Sequence, residues 1–372
     1  MLGSPQLKRF LVSYSLSHWS PARYMMDLQT VVSHINSLCP PALASSWDNV
    51  GLLVEPSPPH KVRKLLLTND LTEDVMEEAV KMHTDMILSY HPPIFKPLKR
   101  LTAENWKERL VVKAIESRMA IYSPHTAWDA LHTGVNVWLG KALGPSVSVP
   151  IQVSTVLDSP SKYQHLLQFN SGIPQNLLSR LKSVDGTSVR TVPLLNDKQG
   201  GSLLQILCTK KALTDAMTVL LDNMAVFHSV ELLALQKLPL PDTGMGRLCT
   251  ITKPVTIAEA VGMVKKHLGI SHVRLALGRG KTMESQVSVV GVCAGSGSSI
   301  LNGVPADLYL TGEMSHHEVL DAVSEGHTVI LCEHSNSERG FLKEMQGQIS
   351  QKLRGEVEVV VSQADREPLQ VA

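Results

Sequence analysis

The 372-residue chain is poor in aromatic residues, 4 % of the total, and carries only five cysteines, none of them in a C-x-x-C pair. An odd and scattered set, Cys39, Cys208, Cys249, Cys293 and Cys332, excludes a disulfide framework and a zinc ribbon and suits a reducing compartment. Net charge is lacking too. With 35 basic and 34 acidic residues the balance is +1, so nothing general directs the surface to nucleic acid or to an anionic membrane. No apolar run approaches the roughly 18 residues that a membrane span requires, and a soluble protein is expected. No short-period repeat is present, which excludes a solenoid. The length allows two cores that need no covalent staples.

What the chain does contain is a succession of β-branched runs and amphipathic stretches. Residues 1–26 carry Lys8, Arg9 and Arg23, five serines and no acid before Asp27; mitochondrial transit peptides and disordered leaders share that composition, and the segment is set aside from the fold. Leu28, Val31, Val32 and Ile35 then recur at helical spacing until Pro40-Pro41 stops them. Residues 62–67, 71–82 and 85–90 read as a β-α-β unit. A helix over about 104–118 leads to a short strand over 119–122. Between 163 and 235 the order becomes β-α-β-β-α-β, the ferredoxin-like arrangement, bounded by proline-rich stretches at 145–160 and 239–241. Beyond it the α/β pattern resumes and ends with a helix over 337–353 and a strand over 357–361. The expected fold is α/β, with a core split between residues 27–150 and 245–372 and a ferredoxin-like α+β domain inserted at 158–237.

Acids, histidines and small polar residues are densest between Leu308 and Leu342. The uninterrupted run 327–332 suits a strand buried on both faces, and Glu333, His334, Ser335, Asn336, Ser337 and Glu338 follow it directly. In open α/β sheets ligands bind at that edge. His334 and Glu338, four positions apart, share a helix face and can hold one divalent ion through nitrogen and oxygen. His125 and Asp129 repeat the spacing after another strand, and His91 stands in Tyr90-His91-Pro92-Pro93 after a third. Taken singly, such a pair is more often an exposed ion pair or a helix cap than a metal site. Together His91, His125, Asp129, His334 and Glu338 exceed a closed tetrahedral zinc site, which favours an open mononuclear or a two-metal centre.

Other signals are weaker. Ser315 and Glu318 form a capping box, with Glu313 or His317 as proton carriers beside the metals or as surface residues of a capped helix. The glycine-rich Cys293 to Ser299 offers backbone N–H groups to an anion, or is a tight turn. Gly278 to Thr282 lacks the first glycine of a phosphate loop, and Gly244-Met-Gly lacks the third of a dinucleotide fingerprint. Asp48, Asn49 and Gly51 read as turn formers that can also line the site, and Asp70 as a helix cap. Lys96, Lys99 and Arg100 make a basic patch after His91 that would draw an anionic substrate if it faces the site, and that otherwise reads as a solvated loop.

SWDNVGLLV, SYHPPIF, SPHTAWDA, LTGEMSHHE and EHSNSERG, in this order, resemble the motifs of the Nif-three-like family, whose bacterial members are often labelled GTP cyclohydrolase I type 2 homologues. The resemblance covers the whole split core. It implies a two-layer α/β core with an inserted domain, one or two divalent metals of the zinc, iron or manganese class, and assembly as a homodimer or a larger closed oligomer. It places metal ligands on His91, Asp129, His334 and Glu338, with His125 close by. The family's His-His-Pro loop reads Tyr90-His91-Pro92 here, and a phenol with a pKa of about 10 is a poor ligand near neutral pH, so one metal position is expected to be weakened. Two functions follow as expectations: a metal-dependent hydrolase of a small anionic or heterocyclic substrate, or a non-catalytic transcriptional coregulator with a transcription-regulatory protein partner. Neither calls for direct nucleic acid binding or a membrane. The expected location is cytoplasmic with a nuclear pool, and mitochondrial if the basic leader directs import.

Overall fold

A computed structural model describes residues 25–155, 162–194 and 201–371; the expected leader lies outside them except for its last two residues, of which Met26 pairs with Val62. The chain divides into two compact units, one formed by residues up to Trp128 and from Glu338 onward, the other by Asp129–Ser337. Both divisions fall within one-turn helices, Thr126–Asp129 and Asn336–Arg339. The boundaries expected at 150, 158, 237 and 245 all lie inside the second unit.

The first unit is built on a five-stranded sheet in the order Glu358–Val361, Lys64–Thr68, Met86–Ser89, Ala120–Ser123, Gly51–Val54. The first four strands are parallel and the last is antiparallel. Met86–Ser89 and Ala120–Ser123 are buried at every position, as expected of strands with helices on both faces. On one face Leu66, Ile87 and Ile121 pack against Val75, Ala79 and Leu110 of the helices Glu73–Lys81 and Trp106–Glu116. The helices Leu28–Leu38 and Leu342–Lys352 pack on each other, and the second of them also meets the strands Lys64–Thr68 and Glu358–Val361. The cap of Glu73–Lys81 is Thr72, whose side chain accepts from Val75 N. Asp70 is therefore not a cap, contrary to the sequence reading, and is free for another role. The helix expected over 337–353 is broken into Asn336–Arg339 and Leu342–Lys352, with Gly340 at the interruption.

The second unit holds two sheets. One has six strands in the order Arg274–Ala276, Thr328–Leu331, Leu308–Glu313, Gln286–Ser296, Pro239–Thr256, Ser146–Thr155. Thr328–Leu331, Leu308–Glu313 and Gln286–Ser296 run parallel. Within the proline-rich stretches read as domain punctuation the described residues include strands: Ser146–Thr155 pairs antiparallel with Pro239–Thr256, Val149 opposite Leu248 and Pro150 opposite Arg247. Ser146–Thr155 is the sheet edge, where proline's missing N–H costs no ladder bond. The other sheet orders Glu231–Ala234, His165–Asn170, Ser202–Cys208 and Thr187–Pro193, all antiparallel. In chain order this is 4-1-3-2, the ferredoxin-like topology. The helices Gln175–Ser183 and Lys210–Leu221 cover one face, on Leu167, Phe169, Leu204 and Ile206. The molecule is thus α/β with a ferredoxin-like α+β segment.

Candidate metal centre

At the C-terminal edge of the five-stranded sheet, each strand hands a polar residue to the same neighbourhood. Lys64–Thr68 is followed by Asn69 and Asp70, Met86–Ser89 by Tyr90 and His91, Ala120–Ser123 by Pro124 and His125, and Glu358–Val361 by Asp365. The antiparallel strand begins there, so Asp48 also lies at this edge, Gly51 pairing with Ser123.

His91 Nδ1 donates to Asp70 Oδ1 at 2.8 Å, and its Nε2 stands 3.3 Å from Glu338 Oε2. Burial of the ring opposes its charge. The charge of Glu338 and the hydrogen bonds to Asp70 and Glu338 outweigh burial and hold His91 well above the ordinary histidine pKa. Burial likewise pushes Asp70 up, but the hydrogen bond to His91 overcomes it and Asp70 lies below the usual carboxylate range. Asn69, fully buried, donates from Nδ2 to Glu338 Oε2 at 3.2 Å and from its backbone N to Asp365 Oδ2 at 2.7 Å. Arg339 Nε lies 3.2 Å from Asp365 Oδ1, a partner that only partly offsets the burial raising the Asp365 pKa.

The same device occurs twice more. His125 Nδ1 donates to Asp48 Oδ1 at 2.8 Å, and Thr126 Oγ1 also donates to Asp48. Burial raises the Asp48 pKa, but these bonds bring it below the ordinary value. In the second unit, His334 Nδ1 donates to Glu313 Oε1 at 2.9 Å. A carboxylate on Nδ1 fixes the tautomer and turns Nε2 outward, the arrangement that supports metal-ligating histidines. His125 and Glu333, the residue before His334, take φ of +33° and +67°, a strained region that clusters at functional sites.

His91, His334 and Glu338 each offer a ligand atom, all within 4.8 Å of one another; His334 comes to this set through the short stretch of chain that joins it to Glu338. Two imidazoles and a carboxylate suit a divalent ion of the zinc, iron or manganese class. Asn69 Oδ1 is buried without a hydrogen-bond partner among the described residues, which leaves a further oxygen donor near Glu338. On both counts the residues fit a metal.

The other expected residues are placed as follows. His125 lies outside the trio, its ring centroid 5.3 Å from that of His91. Asp129 also lies outside it and closes the helix Thr126–Asp129, its carbonyl accepting from Asn136 Nδ2 at 3.0 Å. Glu313 orients His334, whereas His317 is exposed and meets the ring of His316. Tyr90 is buried, edge-on to the rings of His91 and His125 at 5.4 and 6.0 Å. The glycine-rich turn does not cradle an anion with these N–H groups: Ala294 N donates to Asn136 Oδ1, Gly295 N to Ser337 Oγ and Gly297 N to Thr311 Oγ1. Sequence reasoning missed Asn69 and Asp365 and misassigned Asp70, although all three follow strand ends, the signal that found the histidines.

Fold and cluster together define an α/β protein with a candidate divalent-metal centre. Residues 26–368 match the family model described as Duf34/NIF3 (NGG1p interacting factor 3), and the chain belongs to that family. It is 51 % identical over 353 residues to NIF3-like protein 1 of Homo sapiens, covering 94 % of this chain and 94 % of the human protein. Identity to NGG1-interacting factor 3 of Saccharomyces cerevisiae is 31 % over 362 residues, covering 93 % and 97 % of the two chains. The crystal structure of a Bacillus cereus protein related to NIF3 matches with a TM-score of 0.64 at 21 % identity, over 93 % of this chain and 99 % of that one, a likeness of fold.

Proposed function

We propose that the protein is a metal-dependent hydrolase of a small anionic or heterocyclic substrate, its ion held by His91, His334 and Glu338, with His125 and Asp129 completing the binding region. The observation that carries this reading is the threefold repetition of a carboxylate on histidine Nδ1 at strand ends, the support that orients metal-ligating imidazoles. When bound, a divalent ion supplies Lewis acidity and lowers the pKa of water at the site. The chain's own residues do the rest. Asp70 and Glu313 keep the Nδ1 protons in place so that Nε2 of His91 and His334 face the ion. Asn69 holds Glu338 Oε2 in orientation. Glu313, half exposed and bonded to His334, is better placed than His317 to pass protons to solvent. Lys96, Lys99 and Arg100, all exposed after His91, attract an anionic substrate.

Metal analysis of the purified protein with His91→Ala and Glu338→Ala tests this. A stoichiometric divalent ion in the parent, lost from both variants, supports it; a parent without bound metal, or variants that keep all of it, refutes it. A second reading rests on the yeast relative's name, NGG1-interacting factor 3: a coregulator that keeps the cluster for structure. Partner capture by the parent that survives His91→Ala and Glu338→Ala would favour that reading. For location we propose the cytoplasm with a nuclear pool, against mitochondrial import; tagged chains with and without residues 1–26 decide by their distribution.

A further inference from the structure

Among the described residues three large aromatic side chains are exposed, Trp47 at 61 % and Phe95 and Trp106 at 42 %. Two of them meet. The rings of Trp47 and Phe95 stand edge-on with their centroids 6.0 Å apart, and both stand edge-on to His125, at 6.0 and 6.4 Å. A single exposed apolar residue needs no explanation, but this pair lies at the sheet edge that carries His91 and His125, in a chain with few aromatic residues to place. The two loops that hold the pair are fastened together. Asn49 Nδ2 donates to Ile94 O, and Asp48, between Trp47 and Asn49, accepts from Asn49 N and from His125 Nδ1, each at 2.8 Å. Three successive residues thus present an indole, orient an imidazole and tie down the loop of Phe95.

We propose that Trp47 and Phe95 form a stacking platform for a planar heterocyclic ring of the substrate. The platform takes its role from the hydrolase reading and selects the heterocyclic of that reading's two substrate classes. Edge-on contacts set one ring's edge against another's face, which fixes the indole while leaving it largely open, as its exposure shows. A flat ligand therefore meets aromatic surface already held in place, at little further cost in side-chain ordering. Such platforms accept any base, because every base has a π face. His125 carries the aromatic surface on toward the candidate metal centre: its ring is 6.0 Å from Trp47 and 5.3 Å from His91, so two ring-to-ring steps separate the platform from a metal-ligating imidazole. Lys96 follows Phe95 directly, and a charged substituent on the ring is attracted to the same loop. An anion without a ring would use only the cations of that loop and would leave Trp47 and Phe95 without a role.

The test titrates the full chain with the nucleoside monophosphates of adenine, guanine, cytosine and uracil, and with ribose 5-phosphate, which shares their sugar and phosphate but has no base. Calorimetry gives the affinity, and quenching of indole fluorescence reports the stacking. At least one nucleotide is expected to bind the parent about tenfold or more tighter than ribose 5-phosphate. Trp47→Leu is expected to lose most of that margin together with the quenching, whereas Trp47→Phe keeps a ring face and is expected to recover much of the affinity. Trp106→Leu removes the third exposed aromatic and is expected to leave the margin unchanged. Circular dichroism melts and sedimentation show whether each variant keeps the parent's fold and mass. Every titration is run in chelator and again with zinc. The margin belongs to the rings and is expected in both, so a chain that binds no metal refutes the hydrolase reading and leaves the platform standing. Nucleotides that bind the parent no tighter than ribose 5-phosphate overturn the proposal. So do a Trp47→Leu chain with the parent's affinity, a Trp47→Phe chain as weak as Trp47→Leu, an equal loss in Trp106→Leu, or a loss that tracks a change in fold or mass.

Discussion

Gly312 decides where His334 sits, and Gly312→Ala is the sharpest test of that dependence. A Cβ built there would stand 2.6 Å from Gly295 O, 2.8 Å from Ser337 Oγ and 2.9 Å from His334 Cα. Two of the three are backbone atoms that cannot swing away, so the chain at His334 must retreat by several tenths of an ångström. Overpacking of this kind costs about 1–3 kcal/mol. Ser337 Oγ accepts from Gly295 N at 2.8 Å and donates to His334 O at 2.6 Å, and stretching either bond adds about 1 kcal/mol. The expected loss in urea unfolding is therefore about 2–4 kcal/mol, with metal affinity, read by chelator competition, reduced about 10- to 100-fold. Gly262 is the control: it lies in the helix Ile257–Leu268 with nothing within 4 Å of an added Cβ, so Gly262→Ala should stabilise by about 0.5–1 kcal/mol. If Gly312→Ala matches the parent in both stability and metal affinity, the close approach does not position His334.

The remaining predictions concern the cluster around His91. Because the His91 pKa is raised in the folded protein, its contribution to stability is fully present below the unfolded value of about 6.5 and is lost as pH rises through the folded value; melts in chelator should fall over that range, and Asp70→Asn should flatten the profile. A metal must displace the same proton, so affinity should rise up to about tenfold per pH unit while His91 is protonated; calorimetry in buffers of different ionisation enthalpy counts the proton released. Asn69→Ala frees Glu338 Oε2 from its amide donor and should weaken metal binding about 10- to 100-fold, an outcome excluded if affinity is unchanged. Tyr90→His restores a second imidazole to the loop and should raise metal stoichiometry measured by mass spectrometry; an unchanged count shows that the phenol is not what limits the second position.

Much of the centre was readable from the sequence, for a local reason. A strand buried on both faces is an uninterrupted apolar run, and its end is marked by the first polar or proline residue, so His91, His125 and His334 could be located from their own neighbours. The groups that orient those rings were not readable in that way. Asn69 and Asp365 are 296 positions apart, and only the parallel pairing of Lys64–Thr68 with Glu358–Val361 brings them together. The edge strand Ser146–Thr155 was hidden by Pro145, Pro150 and Pro160, whose usual meaning is punctuation. Pro150 is tolerated because it sits on an edge, and whether a strand lies at an edge is a property of the assembled sheet. The capping box at Ser315 and Glu318, by contrast, is complete within four residues and appears as read.

A single rule connects the three histidine–carboxylate pairs. Asp70 follows the strand Lys64–Thr68 and holds His91, which follows its sheet neighbour Met86–Ser89. Glu313 ends Leu308–Glu313 and holds His334, beyond the neighbouring Thr328–Leu331. Asp48 precedes Gly51–Val54 and holds His125, beyond the neighbouring Ala120–Ser123. Adjacent strands lie about 4.8 Å apart, so a carboxylate just past one strand end reaches an imidazole just past the next, and a residue within the same loop is less well placed to do so. The pairing thus makes each ring's orientation depend on sheet register. A one-residue slip would move the acid to the opposite face and leave the histidine without its orienting partner, so the same hydrogen-bond ladder that builds the core also sets the direction of all three Nε2 atoms.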